Sequence, residues 1–325
     1  MTEAQKTVST IGTHLSGILF TQQLTEGQYP GESRYATLTY NYNTYYTGSI
    51  QNLNEIIKLN EDEETQSLTV AYGDNNNQIA VAKILRAYIL QFMTDRWGAL
   101  PWSEAFQGIN NPQPKFDTQE EIYNTMFAEV DAALALINSG AGPSGDVIFA
   151  GNMDRWKLFA NSLKMTMALR ISDVNPSLAK SKFEEVVSSG NYIMTNADNI
   201  VFNYASDDAS DSPWHDRFKT REDYILSDMM VESLRSNLDP RLFKYAEPSR
   251  TGTAPNPMFP GNADEAYVGA PDGQVNGNVP DFSFPTGTII YDETYPTPIY
   301  TAAQMKFAMA EGALRGWNVG ATTVT

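Results

Sequence analysis

The chain has 325 residues, with 22 basic and 39 acidic side chains and a formal net charge of −17. At about 100–200 residues per domain, this length allows one large domain or two modest ones, and the acidic excess disfavours nucleic acid or an anionic membrane surface, which would repel it. The absence of cysteine excludes disulfides, thiolate nucleophiles and cysteine-ligated zinc, and with only His14 and His215 a multi-histidine metal site would have to form between chains.

Hydrophobic spacing predicts helices over 3–24 and 48–60, the second with Ile50, Leu53, Ile56 and Ile57 on one stripe. Asp74 is expected to cap a long helix over about 77–97, in which Val81, Ile84, Leu85, Tyr88 and Phe92 recur at three- and four-residue spacing. Its apolar run from Ile79 to Met93 is broken by Lys83 and Arg86 and falls short of the roughly 20 residues that span a bilayer. Asp117 with Glu120 reads as a capping box for a helix that carries Ile122, Met126, Val130, Leu134 and Ile137 to Gly140. Asp154 opens another, with Trp156, Phe159, Leu163 and Met167 inward, and Asn175-Pro176 starts the next, which closes at Gly190.

Residues 154–190 thus form a helical hairpin of tetratricopeptide-like length, and Trp156-x-x-Phe159-Ala160 and Ala179-x-x-x-Phe183 echo that repeat's small-and-aromatic pattern. From 191 to 300 the chain is rich in Gly, Pro, Asn, Asp and aromatics, with a helix expected near 222–237 and a short strand at Gly287–Tyr291. A final helix is expected from Thr301 to Trp317. The expected architecture is mainly α: a single domain in which residues 1–190 make a superhelical scaffold of tetratricopeptide-like hairpins. Residues 191–300 are then a loop-rich ligand-binding segment, and 301–325 a closing helix. No charged and apolar leader pattern follows Met1, which fits a chain whose leader has been trimmed.

Gly140-Ala141-Gly142-Pro143-Ser144-Gly145 matches a dinucleotide-binding glycine pattern, but a helix precedes it and Pro143 has no amide to donate, so it reads as a helix cap and turn. Serine-hydrolase chemistry lacks a nucleophile elbow; Asp211, Ser212 and His215 are close in sequence, but neighbours in sequence rarely build a triad. The acids around Asp207, Asp208 and Asp211 lack the spaced calcium loop and read as a solvated surface. With 39 acids, paired carboxylates for glycoside hydrolysis are available, yet nothing marks one pair over another. No catalytic residue, metal ligand or cofactor is therefore assigned.

The strongest compositional feature is aromatic and amide-rich loop chemistry, from Tyr29 through Tyr46 and again around Trp97 and Trp102. Sugar rings present apolar C–H faces and hydroxyl rims, which exposed aromatics and Asn, Asp or Arg complement. On this local chemistry Trp102, Tyr40, Tyr42, Tyr45 and Trp214 are the expected stacking platforms, with Asn43, Asp211 and Arg217 as hydrogen-bonding partners.

Several stretches, in order, resemble the SusD/RagB-type outer-membrane lipoproteins of Bacteroidetes, in particular the starch-binding, outer-membrane-associated branch. They are Arg96-Trp97-Gly98-Ala99-Leu100-Pro101-Trp102, Asp117-Thr118-Gln119-Glu120-Glu121-Ile122-Tyr123, and Asp154-Arg155-Trp156-Lys157-Leu158-Phe159-Ala160-Asn161-Ser162-Leu163. Asp239-Pro240-Arg241-Leu242, Tyr267-x-Gly269-x-Pro271-x-Gly273 and Ala310-Glu311-Gly312-Ala313-Leu314-Arg315 continue the series. Ala99 and Gly312 depart from the family pattern at packing positions. The resemblance implies a tetratricopeptide-like fold and a non-catalytic, cell-surface glycan-binding role beside a SusC-like TonB-dependent transporter. It also implies a lipid anchor on an N-terminal cysteine and a longer C-terminal part, so the chain is expected to be a shortened form.

The first expectation is therefore an oligosaccharide- or polysaccharide-binding protein that delivers substrate to that transporter. The alternative is a helical-repeat component that docks a protein partner or binds peptide. Exposed aromatics over loops 29–46 and 205–218 would favour sugar, whereas exposed aromatics along helices 77–97 and 118–138 would favour a partner.

Overall fold

The structure, a computed structural model, describes residues 1–36, 40–251 and 266–320. The helices in chain order begin with α1 (Thr2–Gly12), α2 (Leu15–Phe20), α3 (Gln51–Glu61) and α4 (Gln66–Thr69). The long α5 (Asn75–Trp97), α6 (Gln119–Leu136), α7 (Met153–Arg170) and α8 (Pro176–Ser189) follow. Then come α9 (Pro213–Phe218), α10 (Asp228–Ser236), α11 (Leu242–Tyr245), α12 (Gly287–Ile290) and α13 (Ala302–Leu314). Short strands are β1 (Leu24–Glu26), β2 (Leu100–Pro101), β3 (Phe116–Asp117), β4 (Ile200–Phe202), β5 (Tyr224–Leu226) and β6 (Thr297–Tyr300), paired β1 with β5, β2 with β3 and β4 with β6. The fold is mainly α, as the sequence predicts.

The chain divides into two compact units. The first comprises Met1–Gly12, Asn41–Phe202 and Pro298–Thr325. Its centre is α5, packed by α1, α3, α6 and α7. Asp74 caps it by accepting the Asn77 N–H at 3.1 Å, and 15 of its 23 residues are buried. The expected apolar stripe is there, but small and amide side chains such as Ala80, Ala82, Ala87 and Gln91 bury the remaining faces as well.

α7 and α8 form the expected hairpin. Asn152 caps α7, Asn175 caps α8 through the Leu178 N–H at 3.2 Å, and Gly190 ends α8 in the left-handed region at φ 62°. Lys164, 1% exposed, ties three helices: its ammonium meets Asp131 of α6 at 2.5 Å and Glu185 of α8 at 2.6 Å. Between α6 and α7 lies the buried Asp146. Its carboxylate accepts the Gln5 amide at 2.7 Å, the N–H groups of Ile148, Phe149 and Gly151, and the Trp156 indole N–H at 2.8 Å. The glycine-rich 140–145 stretch is a turn, as expected. A Cβ on Gly142 would lie 2.0 Å from the Gly151 carbonyl oxygen, so backbone packs directly on backbone there.

The second unit comprises Thr13–Tyr40 and Asn203–Thr297. β1 and β5 pair antiparallel, Leu24 opposite Leu226 and Glu26 opposite Tyr224. Around them Leu19, Val231, Leu234 and Leu242 form one apolar cluster, and Phe218, Ile225, Phe284 and Ile290 another.

Four local expectations are corrected. The helix over 3–24 is two helices, broken at His14, whose backbone is extended, and it stops at Phe20, short of Leu24–Glu26, which is drawn into the β1–β5 ladder. The same ladder removes 224–226 from the helix expected at 222–237, which starts after Ser227 caps α10 through the Met230 N–H. Gly287–Tyr291 is the helical turn α12, where Glu247 accepts the Gly287 N–H at 2.7 Å and Ile290 turns into the core. The capping box at α6 is Thr118 with Glu121, one residue later than read, because Asp117 is engaged elsewhere.

Replacing Asp146 by Ala strands four N–H donors and the Gln5 amide in a dry interior. We expect it to lower the unfolding free energy by about 3–5 kcal/mol in urea titrations, and Trp156→Phe to lower it by about 1–3 kcal/mol. A loss below about 1 kcal/mol for Asp146→Ala would contradict this role.

Candidate functional site

The first unit gathers aromatic rings at the C-terminal end of α5. A π-helical turn, Tyr45–Ile50, precedes α3 and brings the tyrosine run onto that end. The Tyr45 ring lies 5.7 Å from Phe92 and 6.1 Å from Trp97, while Tyr42 lies 5.7 Å from Trp97 and 6.0 Å from Tyr46. The Tyr46 hydroxyl donates to the Pro101 carbonyl at 2.6 Å, and its ring meets Phe106 at 5.6 Å, which in turn meets Trp102 edge-on at 6.0 Å. Two guanidinium groups face this nest: Arg96 lies 5.3 Å from the Trp97 ring and Arg86 lies 5.7 Å from Trp102. Arg86 is held by a bidentate pair to Glu129 and by Asn54, so the cation under Trp102 is fixed.

The loop carrying Trp102 is clamped by one carboxylate. Asp117, on β3 and 3% exposed, accepts the Trp102 N–H at 3.2 Å, the Ser103 N–H, and the Ser103 hydroxyl at 2.8 Å, and Lys115 lies 3.3 Å away. Burial pushes this carboxyl up, but the Ser103 donors and the Lys115 ammonium outweigh it and hold Asp117 below the usual carboxylate range. Burial, reinforced by Tyr42 and Asp117, pushes the Tyr46 phenol up, so it stays a neutral donor. Phe106 sits at φ +67°, a strained position for an aromatic residue, and is 39% exposed. Asn43 is exposed beside Tyr42 in the same turn-rich segment, its own N–H bonded to Asn41.

Of the eight expected ligand-binding residues, Tyr42, Asn43, Tyr45 and Trp102 belong to this unit and Tyr40, Asp211, Trp214 and Arg217 to the second. Within the second unit, Arg217 lies 5.0 Å from the Trp214 ring and donates to the Thr13 carbonyl at 3.1 Å. Burial lowers the Arg217 pKa, against the opposing influence of Tyr224, Tyr204, Asp216 and Glu32. Glu32 accepts the Tyr40 hydroxyl at 2.9 Å, and the ring of His14, next to the Thr13 that Arg217 reaches, lies 4.9 Å from the Tyr40 ring, so Tyr40, Trp214 and Arg217 share one neighbourhood. Asp211 turns inward, accepting Lys219 at 2.7 Å and His215 Nδ1 at 2.8 Å; these two hold its carboxyl below the usual range.

Sequence reasoning missed Tyr46, Phe92, Arg96, Trp97 and Phe106 as members of the nest. Trp97 and Tyr46 stood in the same aromatic runs that yielded Trp102 and Tyr45. Nothing in the sequence signalled Phe106, whose role depends on a strained backbone. Nor did anything signal Asp117 as a loop clamp. The nest offers flat apolar faces edged by hydroxyls, amides and guanidinium groups, a chemistry that binds sugar rings. Among the described residues no cluster of three or more acidic or histidine side chains could hold a metal ion.

We expect Asp117→Asn to cost about 1–3 kcal/mol of stability at neutral pH, through weaker bonds to Ser103. Because the folded-state pKa of Asp117 is depressed, its contribution is full above the unfolded value and is lost as pH falls through the folded value. The wild type should therefore lose stability below about pH 4 more steeply than Asp117→Asn, as read from melting temperatures across acid pH. Parallel acid profiles would contradict the clamp.

Over residues 1–325 the sequence matches the SusD-like family described as starch-binding and associating with the outer membrane. No curated protein sequence is significantly similar to the chain. Among solved structures, a chitin-binding protein is 26% identical with a TM-score of 0.77, covering 96% of this chain and 68% of its own. A chitin-binding SusD homologue from Flavobacterium johnsoniae is 25% identical with a TM-score of 0.75, covering 98% of this chain and 64% of its own. A SusD homologue from Bacteroides fragilis is 21% identical with a TM-score of 0.79, covering 98% of this chain and 69% of its own, and shares the fold. The chain thus spans about two thirds of the length of these relatives. No helix among the described residues is long and apolar enough to cross a membrane. The family-wide match, the helical hairpins and the ordered motifs together place this chain in the SusD-like family described as starch-binding and associating with the outer membrane.

Proposed function

We propose that the protein binds oligosaccharides without turning them over, at the outer-membrane surface, and passes them to a SusC-like TonB-dependent transporter. The observation that carries this reading is the aromatic nest of Tyr42, Tyr45, Trp97, Trp102 and Phe106, with Arg86 and Arg96 beneath or beside the rings. Asn43 supplies an amide at its edge, and the Trp214–Arg217 pair with Tyr40 offers a further ring-and-cation surface in the second unit. On this reading residues 191–300 contribute Trp214 and Arg217 to ligand binding, and a lipid anchor would hold the protein at the membrane.

The distribution of exposed rings supports sugar over a docked partner. Tyr29, Tyr35 and Tyr40 are exposed in the 29–46 segment, whereas no exposed large apolar side chain lies on α5 or α6 among the described residues; in 205–218, by contrast, Trp214 is half-buried and Phe218 buried. The two chitin-binding relatives make β-linked N-acetylglucosamine chains the first ligand to test.

We expect isothermal titration with N-acetylchitotetraose to give saturable binding with no reducing ends released. Trp97→Ala and Trp102→Ala should each weaken it about tenfold, the loss of one stacked ring, with melting curves confirming that each variant folds. Unchanged affinity in both variants would contradict the nest as the site.

A further inference from the structure

The C-terminal end of α5 also borders a separate cleft of about 430 Å³. Four helix ends of the first unit converge on it. Asp95 comes from the last turn of α5, Gln119, Glu120, Tyr123 and Asn124 from the first turns of α6, Arg170 from the end of α7, and Asn175 from the cap of α8. None of the rings of the nest lines it, although Asp95 is only two residues from Trp97. Its volume lies within the roughly 300–1,000 Å³ of small-molecule sites.

Accounting for each polar group shows what remains to meet a ligand. Asp95 Oδ1 accepts the Tyr123 hydroxyl at 2.5 Å, while Oδ2 faces Arg170 Nε at 3.6 Å, too far for a hydrogen bond. Gln119 donates its amide N–H to the Thr94 carbonyl at 2.8 Å, which leaves its side-chain oxygen as an acceptor. Asn175 uses its side-chain oxygen on the Leu178 N–H, which leaves its NH₂ as a donor. Glu120 and Asn124 are exposed, and their side chains make no hydrogen bond or ion pair among the described residues. The Arg170 guanidinium, 64% exposed, keeps its outer N–H groups toward solvent. Ile171 and the largely exposed Val174 supply apolar surface at the margin.

These groups select by charge and by hydrogen-bond type. An anion would meet the carboxylates of Asp95 and Glu120, and a simple cation would meet the Arg170 guanidinium. A hydroxyl both donates and accepts, so a ring bearing several of them can use the acceptors and the donors of this cleft together. Its C–H face would then lie against Ile171 and Val174. Burial pushes the Asp95 carboxyl up, against Tyr123 and Arg170, consistent with a wall partly shielded from water.

We propose that this cleft is a second saccharide subsite, one that takes one or two neutral pyranose residues through Asp95, Asn124, Arg170 and Asn175 without aromatic stacking. The proposal goes beyond the assignment of the nest and stands on different residues. An oligosaccharide carries more sugar units than one site engages, and a second subsite raises its effective affinity without any new contact at the first.

The test is saturation-transfer NMR with N-acetylglucosamine and with glucose, on the chain in four forms. These are the wild type, a Trp97→Ala/Trp102→Ala variant, and that variant carrying in addition either Arg170→Ala or Asn124→Trp. Both cleft positions lie on the surface, so the substitutions should leave the melting temperature unchanged. The nest variant should still bind one of the two sugars, with a Kd of about 1–10 mM. Arg170→Ala should weaken that residual binding at least fivefold, and Asn124→Trp, which fills the cleft, should abolish it. No residual binding in the nest variant overturns the second subsite while leaving the nest intact. Residual binding that neither Arg170→Ala nor Asn124→Trp alters also overturns it. Binding that keeps its full wild-type affinity after loss of the nest, and is lost only with the cleft, supports the subsite and counts against the nest.

Discussion

The structure of the first unit depends on the enclosure of α5. A 23-residue helix with helices packed on several sides has little freedom to rotate or slide, because each neighbour's side chains fill the spaces between its own. Small residues such as Ala80, Ala82 and Ala87 let those neighbours approach closely. The rings of the nest and one wall of the neighbouring cleft are then carried by that rod. Arg86 reaches under Trp102, Phe92 and Trp97 meet Tyr45, Arg96 covers Trp97, and Asp95 enters the neighbouring cleft. A binding surface made of aromatic rings needs such a support, because rings that move lose ordering entropy on every binding event.

Buried carboxylates do the corresponding work for the irregular segments. Asp146 satisfies the N–H groups of its own loop and fastens that loop to α1 and to Trp156 of α7. Asp117 does the same for the turn that carries Trp102. In each case a short acidic side chain collects donors that a loop cannot pair within itself. Lys164 inverts the pattern, a buried cation gathering carboxylates from α6 and α8. Removing one partner from any of these groups leaves buried charge or donors uncompensated, which is why they stabilise chiefly by being complete.

Much of the helical scaffold was legible in the sequence, for reasons that are local. Asp74, Asn175, Pro176 and Gly190 act through their own backbone neighbours, and the apolar spacing around Trp156, Phe159 and Leu163 reflects a single helix face. The misread segments are those where a distant strand decides. Leu24–Glu26 and Tyr224–Leu226 have no extended character until they pair across about two hundred residues of sequence. The candidate site was legible only in part for the same reason. Tyr42, Tyr45 and Trp102 announced themselves by composition, whereas Phe106 is placed by a left-handed backbone and Asp117 by a contact fourteen and fifteen residues away.

The central claim is that this surface recognises glycans. Affinity electrophoresis in native gels containing glycol chitin, starch, xylan or mannan tests it most directly, because it reads polymer binding without presuming the linkage. Migration should be retarded in one gel, and the matching free oligosaccharide should restore mobility. Equal mobility in every gel would contradict it.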